Sequence, residues 1–233
     1  MAKKTKSPRS NSRKAAPDGS SAVDSVIEHV KDGIRQGRYA PGQRLIESDL
    51  QEVVGTSRGP IREAIRRLAA ESLVELQHHK GARVRRLSAQ EIVAVYQVRE
   101  ALEGYACRLA ASHIDEADHR ARLRALEAEF DDTFNGSPGS YLRYNERFHR
   151  LIVGMSGNPH LIRLVEQLQL RAFILLVHVI VDPVSARRAR AEHRPVVKAL
   201  IAKDADKAER AMRAHIRNTC QFVLRATAER LAD

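Results

Sequence analysis

Three histidines, His149, His193 and His215, each fall on the apolar stripe of a separate helical pattern. His149 shares its face with Leu142, Asn145 and Ile152, His193 with Ala189, Val197 and Leu200, and His215 with Ala208, Met212, Thr219 and Phe222. Asn145 stands one helical turn before His149, so both side chains can reach one point. Neutral imidazoles and a carbonyl oxygen converging from facing helices suit a borderline divalent metal such as Zn²⁺ or Ni²⁺. A single inward histidine is usually a hydrogen-bonded core residue. Three on separate helices suit a metal equally well, and the pattern alone leaves both readings open. A three-histidine metal with an open position could also activate water, so a metal-dependent hydrolase in a helical bundle is the rival reading. Against it, no acid is placed as a general base and no second metal motif is present.

A different chemistry sits near the N-terminus. Arg58, Arg62 and Arg66 recur at four-residue steps, with Ile61, Ala64, Ile65 and Leu68 on another face of the same pattern. Pro60 lies in the first turn, where its missing donor costs little, and Ser57 can cap the helix. Before it, Glu47 to Val54 predicts a short helix with Leu50, Val53 and Val54 inward, stopped by Gly55. Two short helices joined by a tight turn, the second led by arginines, fit a recognition helix entering the major groove. Arginine can fork onto guanine or clamp phosphate, and Arg44 and Arg67 suit phosphate contacts. After the recognition helix, Val74–Gln77 alternates as a strand, and Arg83–Arg85 reads as its return. His78, His79, Lys80 and Gly81 between them make a basic hairpin tip, a wing able to reach backbone or minor groove.

The elements that position these groups divide the chain. Val23, Val26, Ile27, Val30 and Ile34 predict an amphipathic first helix ended by Gly37. From Ser88-Ala89-Gln90-Glu91, a capping box, everything reads helical. The first helix of this region has the stripe Ile92, Val95, Leu102, Ala106 and Leu109. Further helices are expected over about 116–134, 140–155, 159–181, 185–203 and 205–231, with the register set by apolar periodicity. Pro195, inside the fourth of these, should kink it or mark a break. Arg99 and Glu103 lie four apart and can form an ion pair; alternatively, Arg99 can grip a carboxylate ligand as a fork. The expected fold is mostly α: a disordered basic tail over residues 1–20, a winged helix-turn-helix over 21–87, and an all-helical bundle over 88–233.

Composition limits the alternatives. The 233 residues carry a formal net charge of +11 and 43% hydrophobic content, enough for two cored domains. Residues 1–16 hold Lys3, Lys4, Lys6, Arg9, Arg13 and Lys14 and no acid. Such a segment either solubilises the chain or adds salt-sensitive phosphate affinity. A sequence-indifferent DNA binder driven by that tail is a third reading. No apolar run approaches a membrane span, and no secretory signal is visible. Cys107 and Cys220, without metal spacing, are expected to be buried reduced thiols. A cytoplasmic protein is expected.

Longer motifs tie these readings together. Tyr39-x-Pro41-Gly42-x-Arg44-Leu45, Glu47-x-x-Leu50, Ser57-Arg58-x-Pro60-Ile61-Arg62-Glu63-Ala64-Ile65-x-x-Leu68 and Gly81-x-x-Val84 resemble the GntR family of bacterial transcription regulators. That resemblance implies base and phosphate contacts by Arg58 and Arg62 and close approach of Gly81 to DNA. Members often carry a further basic contact where this chain has Ser48. The helical region is similar to the FCD effector domain of the FadR-type subgroup, through Arg99-x-x-x-Glu103, Asn145-x-x-Phe148-His149, Ser156-Gly157-Asn158, Glu192-His193 and Met212-x-x-His215. This second resemblance implies a divalent metal held by Asn145, His149, His193 and His215, and a small carboxylate effector that completes the coordination, with Arg99 as its grip. Asn145 replaces the commoner Asp. A homodimer presenting two winged heads to a double-stranded, partly palindromic operator is the implied assembly, acting as a repressor relieved by effector.

Overall fold

The computed structural model describes residues 21–77, 81–116, 118–133, 138–179 and 183–232. The N-terminal tail and the wing-tip residues His78, His79 and Lys80 lie outside the described residues. So does the side chain of His178.

The head starts with α1 (Ala22–Arg35), opened by a reciprocal capping box between Ser21 and Asp24. Then follow β1 (Arg44–Leu45), α2 (Glu47–Val54), α3 (Arg58–Ala70), β2 (Val74–Gln77) and β3 (Gly81–Val84). The sheet order is β1-β3-β2, antiparallel throughout, with Arg44 opposite Arg83 and Val74 opposite Val84. Sequence reading missed β1 because two residues are too few for alternation to show. It also set the returning strand two residues late. Val26, Val30, Ile34, Leu50, Ile61, Leu68 and Val84 form one core. Gly55 stops α2 in a left-handed conformation, φ 71°, which a side chain would oppose. The expectation of an inward Val53 is corrected: it is 64% exposed. On an eight-residue helix packed by one edge only, Leu50 alone is buried.

The second region is helical: α4 (Ala89–Ser112), α5 (His119–Thr133), α6 (Pro138–Met155), α7 (Pro159–Val179), α8 (Pro183–Ala191), α9 (His193–Ile201) and α10 (Ala205–Ala232). The Ser88–Glu91 capping box forms as the residues dictate. Where one helix was expected over 185–203, two occur, broken at Glu192. Pro195 then falls in the first turn of α9, where it needs no backbone donor.

Helix α4 is central and buried on two faces. One face meets α7 through Leu102, Ala106 and Leu109, against Leu161, Ile162 and Val165. The other carries Ile92, Tyr96, Cys107 and Ala110 into the main core with Phe148, Ile152, Leu200, Met212 and Ile216. Gly104 lets α10 approach: a Cβ there would stand 2.7 Å from Arg213 Cγ. Cys107 is buried, but Cys220 is only half-buried, which corrects the expectation of two buried thiols; both are free. Among the described residues, no helix is long and apolar enough to cross a membrane.

Candidate functional site

Two sites emerge, one in each region. In the head, α3 presents its arginines outward. Arg62 is 59% and Arg66 71% exposed at the side chain. Arg58 is exposed and has no ion-pair partner among the described residues. Ser57 occupies the N-cap position in extended geometry, yet its side chain makes no capping hydrogen bond. The exposed hydroxyl is therefore left at a helix N-terminus with no acid in its first turn, a setting that favours anions. Ser48 is exposed on α2 and donates to Asp49 at 3.2 Å. Arg44 on β1 lies beside Gly81, whose φ is 83° and whose absent Cβ would sit 3.8 Å from the Arg44 guanidinium. Sequence reading missed Glu47: its carboxylate accepts from Arg62 Nε at 3.1 Å and holds that side chain across the turn. Arg67, read as a phosphate contact, pairs with Glu63 at 3.1 Å.

The second site lies in the bundle core. α6, α9 and α10 bring His149, His193 and His215 together, all buried. Nε2 of His215 stands 3.3 Å from Nε2 of His149 and 3.2 Å from Nε2 of His193. Each ring is held from behind through Nδ1. His149 meets Glu103 Oε2 at 2.6 Å, His193 meets the Tyr144 hydroxyl at 3.2 Å, and His215 meets Glu192 Oε2 at 3.3 Å. The His193 ring also stacks on Phe148, centroids 3.9 Å apart and 5° from parallel.

Glu103 links inward and outward, for it also accepts from Arg99 Nε at 2.7 Å. Burial pushes its carboxyl up, but the Arg99 and His149 charges and hydrogen bonds outweigh that and hold it at about 2. An ionised Glu103 accepts a hydrogen bond from His149 Nδ1–H, which fixes the tautomer and leaves a lone pair on Nε2. Glu192 acts the same way on His215. Both carboxylates were missed in these roles, because each reaches its histidine across the fold rather than along one helix. Arg99, 3% exposed, makes the ion pair that its spacing allows, and Tyr96 lies beneath its guanidinium at 5.0 Å.

Nitrogen lone pairs this close repel unless a cation or protons lie between them. Zn–N bonds of about 2.0–2.1 Å at tetrahedral angles subtend roughly 3.3 Å between donors, the spacing found here. The donor set therefore fits a divalent metal. Asn145 is buried one turn before His149, and its Oδ1 accepts from the Tyr141 hydroxyl at 3.1 Å. A carbonyl oxygen has a second lone pair for a metal.

Protons are disfavoured here. Burial, then the charges of His215, His149 and Arg190, hold the His193 imidazole well below its ordinary range. His215 is lowered too, chiefly by burial, against the opposing effect of its hydrogen bond to Glu192. Above about pH 6.5 both folded and unfolded rings are neutral and nothing is contributed. Below it the unfolded chain binds protons that the folded core refuses. Stability of the metal-free protein is therefore expected to fall as pH is lowered through the ordinary histidine range towards about pH 5. Glu103 contributes little in that window, since its stabilisation is lost mainly as pH falls from the ordinary value of 4.5 towards about 2. Thermal melts in chelator at pH 7.5 and 5.0 check this, and an unchanged Tm would contradict it.

Comparison with known proteins bears on both sites. Residues 22–84 match the model for bacterial regulatory proteins of the gntR family, and residues 94–218 match the FCD domain. The chain is 35% identical to the probable D-xylose utilization operon transcriptional repressor of Paenarthrobacter nicotinovorans, over 78% of this chain and 80% of that protein. It is 28% identical to the transcriptional repressor GlaR of Escherichia coli K12, over 85% and 94%. The fold matches that of E. coli McbR/YncC with a TM-score of 0.78 at 24% identity, covering 88% of this chain and 98% of that one. A metal-free FCD domain aligns with 62% of this chain and 99% of its own length, TM-score 0.53 at 15% identity.

Proposed function

This chain belongs to the GntR family of bacterial DNA-binding transcription regulators, with an FCD effector domain behind its winged head, and from that premise we propose that it is a metal-dependent, carboxylate-responsive repressor. The observation that carries the proposal is that His215 Nε2 lies 3.2 Å from His193 Nε2 and 3.3 Å from His149 Nε2, each ring oriented from behind by an acid or a phenol. His149, His193, His215 and Asn145 would hold a divalent ion, Zn²⁺ or Ni²⁺ by donor type. When bound, that ion supplies a Lewis-acid site for a small carboxylate. Arg99 has two roles in this reading: it keeps Glu103 ionised behind His149, and it adds positive charge for the carboxylate. The head reads operator DNA with Arg58, Arg62 and Arg66 from α3, Ser57 at its start, Ser48 from α2, and Arg44, His79, Lys80 and Gly81 at the wing.

Two chains pair through their helical domains in this proposal. The exposed apolar residues Val98 and Tyr105 on α4 and Leu164 on α7, each about half-exposed, support such a face. Val98 and Tyr105 lie seven residues apart on one side of α4. The effector acts by binding the DNA-incompetent arrangement more tightly; equal affinity for both would shift nothing. The protein works in the cytoplasm, with the chromosome. A hydrolase is disfavoured because Glu103 and Glu192, the acids that touch the centre, are engaged at Nδ1 and hold no water-activating position.

The test combines metal analysis of purified protein with selection from random duplexes. About one divalent ion per chain and enrichment of one partly palindromic sequence are expected. A metal-free protein that cannot be loaded, or a selection without enrichment, would refute the corresponding half.

A further inference from the structure

His193 is held differently from the other two histidines. His149 and His215 meet carboxylates directly, Glu103 and Glu192, whereas His193 Nδ1 meets the Tyr144 phenol at 3.2 Å. A carboxylate only accepts, so it leaves its histidine one tautomer. A phenol can donate or accept, and alone it leaves two. Behind that phenol stands Glu127 of α5. The Tyr144 hydroxyl donates to Glu127 Oε1 at 2.6 Å, the short separation of a charge-assisted hydrogen bond. The other carboxylate oxygen, Oε2, lies 3.2 Å from Arg190 Nη2 of α8. Tyr144 and Arg190 are both buried, and the guanidinium carbon stands 5.7 Å from the centre of the Tyr144 ring. The chain Arg190–Glu127–Tyr144–His193 therefore runs through α8, α5, α6 and α9 in turn. The break between α8 and α9 is tied to three helices within a few residues: Arg190 to α5, Glu192 to His215 of α10, and His193 to α6.

We infer that Arg190, Glu127 and Tyr144 form a relay of positioning residues that sets the tautomer of His193. The inference rests on the metal reading above. Tyr144 has a single hydroxyl proton. Glu127 receives that hydrogen bond, so towards His193 the phenol oxygen can only accept. Nδ1 then carries the ring proton, and Nε2 turns a lone pair to the centre. With the phenol turned the other way, the proton would sit on Nε2, 3.2 Å from His215 Nε2, and His193 would be no ligand. Arg190 decides which carboxylate oxygen is left for Tyr144, because a guanidinium only donates. The donor set thus depends on an acid that touches none of its members.

Glu127→Gln tests this with little change of shape. Its amide oxygen must face Arg190, so its amide nitrogen faces Tyr144 and donates. The phenol is then driven to donate to His193 Nδ1, and the ring proton moves to Nε2. Proton–nitrogen correlation spectra of the metal-free full chain, isotope-labelled at the histidine nitrogens and assigned through His193→Gln, read the tautomer directly. His193 should carry its proton on Nδ1 in the wild type and on Nε2 in E127Q. In chelator competition, E127Q should bind Zn²⁺ about 10–100-fold more weakly, the usual cost of losing an outer partner. Tyr144→Phe is the control. Without the phenol Glu127 cannot act on the ring, so E127Q should add no further loss in the Y144F background. A purely structural Glu127 would give equal losses in both backgrounds and leave the tautomer unchanged. Either result overturns the inference, as does an Nε2 proton on wild-type His193. The expected ring states in a wild type that takes up no Zn²⁺ would instead refute the metal reading and leave the relay standing.

Discussion

Replacing His149 with alanine is expected to empty the metal centre and silence the response to effector while operator binding persists. The reason is geometric. The three imidazoles come from α6, α9 and α10, and removing one leaves two nitrogens and an amide oxygen. Loss of an outer partner alone commonly costs about 10–100-fold in metal affinity, so loss of a ligand should cost more than about 100-fold. Elemental analysis should then drop from one ion per chain to none. The wild-type Tm should fall on adding chelator, whereas the H149A Tm should not move, which separates ligand loss from mere core damage. Asn145→Asp should act in the opposite direction, since an anionic ligand tightens a cation. Full metal occupancy in H149A, with an intact effector response, would remove the centre from the account.

The second large effect belongs to the head. Arg58→Ala and Arg62→Ala should each weaken operator binding by about 1–3 kcal/mol, roughly 10–100-fold. If the two add, the double variant falls about 10²–10⁴-fold. Affinity for random duplex should fall much less, because the remaining cations still contact phosphate. Fluorescence anisotropy on the selected operator and on scrambled duplex, at one stated salt concentration, reads both. Equal losses on the two duplexes would mean that these arginines touch only the backbone.

Much of this was legible before any coordinates. The arginine row and the three histidines declared themselves because α3, α6, α9 and α10 are amphipathic, and a polar residue on an apolar stripe stands out. Asn145 and His149 stood out together because one turn of helix separates them. Other features were hidden for physical reasons. β1 is two residues long. α4 is buried on two faces, so its stripe was only partly legible: Arg99 is buried near that stripe as its position allowed, Glu103 is buried as well, and Val95 is only half-buried. Glu192 reads as surface until the break before α9 turns its carboxylate towards His215. The break itself was foreshadowed by Pro195, but only the fold put it three residues earlier, where the proline ring is accommodated.

Helix α6 also faces the head. Glu146 follows Asn145 directly, and its carboxylate lies 3.5 Å from Arg35 at the end of α1. Arg150 follows His149 and closes on the same Glu146 at 2.7 Å. One side of a rigid rod thus grips the core of the bundle while the other grips the tether of the reading head. In the proposed reading, a tilt of α6 driven from Asn145 and His149 would act on the Arg35 contact as well.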